Sequence, residues 1–160
     1  MRRVAVAVMV FAVASCSSSG TSNAPLLTRA DYTAKADAIC ANAQQQVYAA
    51  KTIPAYRSAF PAPDFVAFYD KTIAIGNAVL SDLRALRPPE ADQDAATSDI
   101  ALLNTLVDVT KKLRDAAAGT DEQTYQSVAS GHGITIPSTP PTHVLPDACF
   151  DLQLGPGAGE

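Results

Sequence analysis

Residues 64–89 read DFVAFYDKTIAIGNAVLSDLRALRPP. Phe65, Phe68, Tyr69, Thr72, Ile73, Gly76, Val79, Leu80, Leu83 and Leu86 recur at spacings of three and four. That is the period of one apolar stripe on an α-helix, and it predicts a helix over 64–87. Pro88-Pro89 closes it, because proline has no N–H to donate and its ring clashes with the preceding turn. Gly76 falls on the apolar face and predicts close approach of a neighbouring helix.

The flanking sequence has the same character. Thr28 with Asp31 three residues on forms a capping-box variant. Tyr32, Ala36, Ile39, Ala43, Val47 and Ala50 then line one face of a helix over 29–51, with Cys40 at the edge of the stripe. Pro54, Pro61 and Pro63 mark the connection at 52–63. A third helix is expected from about Ala91, with the stripe Ile100, Leu103, Leu106, Val107, Thr110, Leu113 and Ala117. Asp92, Asp94 and Asp99 fall early in it and Lys111, Lys112 and Arg114 late, which complements the helix dipole without invoking a metal site. Gly119 suits the position just past the helix end. Thr120 and Gln123 suggest a second capping box opening a short fourth helix over 121–130, stopped by Gly131 and Gly133. Residues 131–160 are rich in proline and late glycine and read as extended loop. The expected fold is all-α: an antiparallel up-down bundle of three long helices and a short fourth.

The N-terminus is a processing pattern. Met1-Arg2-Arg3 is followed by the wholly apolar run Val4 to Ala14, too short to span a membrane at ~20 residues. Val13-Ala14-Ser15-Cys16 resembles the lipobox of bacterial lipoproteins. The resemblance implies cleavage before Cys16 and a diacylglyceryl group on its thiol. Residues 1–15 are then a lipoprotein signal peptide. Residues 16–27, with Ser17-Ser18-Ser19-Gly20, form a flexible tether, residues 28–150 the helical bundle domain, and residues 151–160 a flexible tail. The expected location is the extracytoplasmic face of the cell membrane.

Three cysteines is an odd count. With Cys16 assigned to lipid, Cys40 and Cys149 remain, and an exported compartment permits a bridge between them. A pair of reactive thiols is the alternative, although the sequence holds no CxxC. A bridge would pin the proline-rich tail to the first helix, with Phe150 and Leu152 capping the groove beside the short fourth.

Charge and motifs narrow the function. The chain carries a net charge of −4, and loss of Arg2 and Arg3 leaves 10 basic against 16 acidic side chains. That disfavours nucleic acid. Neither a GxSxG elbow nor a GxxxxGK[ST] phosphate loop is present. Ser130-Gly131-His132 is adjacent in sequence, which does not make a triad, and His132 and His143 read as solvated loop residues. No catalytic residue, metal ligand or cofactor is therefore assigned. Tyr32, Phe65, Phe68, Tyr69 and Tyr48 fall toward the seam of the first two helices and read as core. A pocket for an apolar ligand lined by Phe65, Phe68, Tyr69 and Leu103 is the functional alternative.

Asp31-Tyr32-Thr33-Ala34-Lys35-Ala36-Asp37-Ala38-Ile39-Cys40, Leu83-Arg84-Ala85-Leu86-Arg87-Pro88-Pro89-Glu90 and the late Cys149 together resemble a group of small lipoproteins from high-GC Gram-positive bacteria. The resemblance implies a helical bundle stapled by one disulfide and carries no activity with it. The chain departs from the group where Gly131-His132-Gly133 and a proline tail replace a long final helix. The expected function is a lipid-anchored, non-enzymatic envelope protein, joined to the membrane through Cys16 and meeting an unidentified envelope protein. A binding protein holding a small apolar or lipid ligand in the bundle is the alternative.

Overall fold

The computed structural model describes residues 25–50, 63–131 and 143–152. Cys16, the signal and most of the tether, the connection holding Pro54 and Pro61, and His132 lie outside them.

Three long helices carry the fold: α1 (Arg29–Ala50), α2 (Pro63–Ala85) and α3 (Gln93–Ala118), the last preceded by a 3-10 turn at Glu90–Asp92. Two short ones follow, α4 (Glu122–Ala129) and α5 (Asp147–Phe150). There is no strand among the described residues. The protein is an all-α helical bundle. α2 packs against both α1 and α3. The Leu27 N–H donates to the Arg87 carbonyl at 2.9 Å, so α1 begins beside the end of α2 and the start of α3.

The caps show why the helices begin and end where they do. The Thr28 hydroxyl accepts from the Asp31 N–H at 3.1 Å, the first half of a capping box, and donates to the Asp31 carboxylate at 2.7 Å, so the acid returns to the hydroxyl of the cap and not to its N–H. At the start of α4 the cap is Asp121, not Thr120. Its carboxylate accepts from the Thr124 hydroxyl at 2.6 Å and from the Thr124 N–H at 2.9 Å, and these bonds, the hydroxyl first, hold its pKa below the ordinary aspartate value. Thr120 instead adopts the left-handed conformation, φ 58°, that was expected of glycine. The Asp121 N–H reaches the Ala116 carbonyl and the Thr120 N–H the Ala117 carbonyl, which is a Schellman closure one residue later than Gly119 predicts. A β-branched residue there is strained, and the two bonds hold it in place.

The core divides into two clusters. At the end where α1 begins, Tyr32, Ala36, Cys40, Val79, Leu83, Ala96, Leu103 and Val107 are buried together. At the opposite end Ala50, Phe68, Tyr69, Leu113, Ala117 and Tyr125 form the second. α4 is held there by a hydroxyl–hydroxyl hydrogen bond between Tyr69 and Tyr125 at 2.8 Å. Cys40 lies at the centre of the buried α1 stripe and is fully buried, while Ile39 is half-buried. The sequence pattern placed it at the edge because its cover comes from outside the three long helices. Tyr48, expected in the core, is 65% exposed. Gly76 is buried, as its place on the apolar face predicts.

Cys40 and Cys149 form a disulfide with Cα atoms 4.9 Å apart, closing a sequence separation of 109. The segment 143–152 thereby fills the place a long fourth helix would occupy. Val144, Leu145, Cys149 and Leu152 are buried in the first cluster, so Leu152, assigned on sequence to the flexible tail, belongs to the core. The Gln44 side-chain amide donates to the Ala148 carbonyl at 3.0 Å beside the bridge. Cys40→Ser is expected to lower the unfolding free energy by about 2–4 kcal/mol, the usual contribution of a bridge over a long loop. Urea titration of the two proteins checks this, and coincident midpoints would refute it.

Candidate functional site

The end of the bundle where α1 and α3 begin holds the two buried carboxylates, Asp92 and Asp99. Asp99, in the second turn of α3, is fully buried. One of its carboxylate oxygens accepts the Val144 and Leu145 N–H groups at 2.9 and 3.1 Å. The other lies 2.6 Å from His143 Nδ1. His143 is held from its second side by the Phe150 ring, with centroids 4.6 Å apart. One carboxylate therefore grips three consecutive residues of the returning segment.

Asp92, in the 3-10 turn, forms a second pair. Its side chain is 5% exposed and meets the Arg29 guanidinium, whose Nε donates to Oδ2 at 2.8 Å and whose Nη2 donates to Oδ1. This two-pronged geometry suits the planar guanidinium fork. The hydrogen bonds from Arg29 hold the Asp92 pKa below the ordinary value, against burial, which raises it. The same partner raises the pKa of Arg29.

Between them lies Tyr32, fully buried, with its hydroxyl unpartnered. Burial raises its pKa, and the carboxylates of Asp99 and Asp92 raise it further, so the phenol is neutral. An unmet buried hydroxyl costs about 1–3 kcal/mol, so this one is an unusual feature of the core.

The expected charge pattern on α3 therefore has two different outcomes. Lys111 pairs with Asp108 at 2.8 Å, and Arg114 with Asp70 and Asp115 at 2.9 and 2.8 Å, all partly exposed surface contacts of small energetic weight. Asp92 and Asp99, expected to complement the dipole in solvent, are buried and each has a specific partner. His143, expected to be solvated, is one of those partners. Spacing along one helix carries no information about a residue 44 positions away that folds back onto it.

Of the residues assigned on sequence, Cys40 and Cys149 are brought together. Phe65, Phe68 and Tyr69 meet around Tyr125, with the Phe68 and Tyr69 rings edge-on at 5.5 Å. Leu103 lies in the other cluster. A separate cleft of about 490 Å³ opens at the Asp92/Asp99 end, lined by Leu26, Leu83, Leu86 and Ile100 with Arg84 and Arg87, and floored by Tyr32. Among the described residues no group of three or more His, Cys, Asp or Glu is placed to hold a metal, and no helix is long and apolar enough to cross a membrane. Comparison with family models, with curated proteins and with solved structures finds no match.

Two outcomes follow from the carboxylates. Asp99→Ala leaves the Val144 and Leu145 N–H groups buried without acceptors and should destabilise the fold by about 3 kcal/mol. Hydrogen exchange at those two amides should accelerate more than exchange along α2; uniform acceleration would mean that Asp99 does not hold the segment locally. For Asp92 the folded pKa is depressed. Its pairing therefore contributes stability that is fully present above the unfolded-state value and is lost as pH falls through the folded one. The stability gap between the natural protein and Asp92→Asn should shrink on acidification through that window. A gap constant with pH, measured by urea titration, would remove the linkage.

Proposed function

We propose that this chain is a lipid-anchored, non-enzymatic protein of the bacterial envelope, held at the membrane by an acylated Cys16 and acting through contact rather than catalysis. The observation that carries the reading is the position of Cys16, separated by Ser15 alone from the eleven-residue apolar run Val4–Ala14 and directly before a Ser/Gly tract. The Cys40–Cys149 bridge supports it, because such bonds persist in oxidising compartments and are rare in reducing ones. Two acyl chains are enough for stable anchoring, at ~0.8 kcal/mol per buried CH₂.

The use made of the reactive side chains favours contact over catalysis. Asp99 spends both oxygens on residues 143–145, and two of the three thiols are joined to each other. Among the described residues no hydroxyl or thiol hydrogen-bonds to His143, so its pairing with Asp99 reads as a clasp on the returning segment.

Cys16→Ala should move the protein from the membrane fraction to the soluble or precursor fraction. The intact mass of the natural protein should show acyl groups and loss of residues 1–15. Full membrane retention of the variant, with no acyl mass on the natural protein, would end the proposal.

A further inference from the structure

We infer that the cleft at the start of α1 receives one acyl chain of an anionic membrane phospholipid, with the phosphate held by Arg84 and Arg87. This rests on the reading of Cys16 as the anchor. The volume, about 490 Å³, lies within the ~300–1,000 Å³ usual for ligand sites. Leu26, Leu83, Leu86 and Ile100 supply apolar walls, and among the described residues Arg84 and Arg87 are the charged residues in its lining. Arg84 is already oriented by the Asn104 side-chain oxygen at 3.3 Å. Guanidinium groups bind phosphate oxygens in pairs, and an apolar wall beside them suits a chain attached to that phosphate. The hollow between α1 and α2, by contrast, has Asp82 in its lining and no cation, so the anionic preference belongs to the first cleft.

Position identifies the source of the lipid. Leu26, at the mouth of the cleft and 44% exposed, is ten residues from Cys16. Ten extended residues span at most about 35 Å, so a bundle tethered at Cys16 keeps this cleft within reach of the membrane surface. The bundle's net negative charge opposes broad adhesion to an anionic surface. An anionic lipid is therefore taken through this one basic, apolar-walled site.

The chain contains no tryptophan, so an introduced one reports alone. The test places Thr97→Trp at the cleft, with Gln93→Trp as a second reporter in case the first blocks entry, and Gln126→Trp on α4 as the distant control. Each is made in the full chain, processed in the bacterial envelope and reconstituted in vesicles. Phospholipids brominated on the acyl chain quench tryptophan only on contact. Brominated phosphatidylglycerol in a phosphatidylcholine vesicle should remove most of the emission at position 97 or 93 and leave position 126 unchanged. Brominated phosphatidylcholine should quench several-fold less, and Arg84→Gln with Arg87→Gln should abolish the difference between the two lipids. Equal quenching by both lipids, equal quenching at position 126, or quenching indifferent to the arginine changes would each overturn the inference. Intact mass of the same samples reads the anchor independently. Acyl mass without quenching at either reporter overturns the cleft alone. Selective quenching at saturating lipid without acyl mass overturns the anchor and leaves the cleft.

Discussion

A ten-residue segment occupies the place of a long fourth helix, and it stays there because Cys149 is bonded to Cys40. Residues 143–152 contain only one turn of helix, so they cannot satisfy their backbone groups among themselves or present a regular apolar face. Left unattached, they would gain too little from burying Val144, Leu145 and Leu152 to offset the entropy of ordering the chain. The bridge removes much of that cost by keeping the segment near α1 even in the unfolded chain. The first core cluster is complete only with this segment in place.

The buried charges follow from the same constraint. A loop in a core brings N–H groups that need acceptors, and Asp99 accepts from two of them and faces the His143 ring. Burying a carboxylate is expensive unless it is paired, and this one is paired on both oxygens. Asp92 and Arg29 act about two turns away, where α1 begins against the start of α3. The exposed pairs of Lys111 and Arg114 at the other end are surface contacts that screening weakens. The buried carboxylates are therefore concentrated at the end where α1 begins, around Tyr32 and its unmet hydroxyl.

Most of the helical architecture was legible beforehand, because it rests on local periodicity. The stripes at Tyr32, Ala36, Ala43 and Val47, and at Phe68, Tyr69, Val79, Leu80 and Leu83, are the faces that are buried. The misses share one cause. Cys40, Asp99 and His143 are each covered by, or cover, a residue more than 40 positions distant, and no window along the chain contains both partners. Phe65, Phe68, Tyr69 and Leu103, assigned on sequence to one pocket, are divided between the two clusters for a related reason. Position on a helix face says which residues point inward but not how far along the bundle they lie, and these four lie in two clusters. The cleft beside Arg84 and Arg87 went unseen because its walls come from four separate stretches of chain.

By itself the amino-acid order determined where the helices run and which face of each is apolar. These depend on spacing within a few turns and on proline and capping residues, all of them short-range. Tertiary structure alone decided that Thr120 rather than glycine takes the left-handed turn, that Asp99 holds His143, and that Val144 and Leu145 are core. Those outcomes depend on which groups lose their water together, and that is settled only when distant segments share one interior.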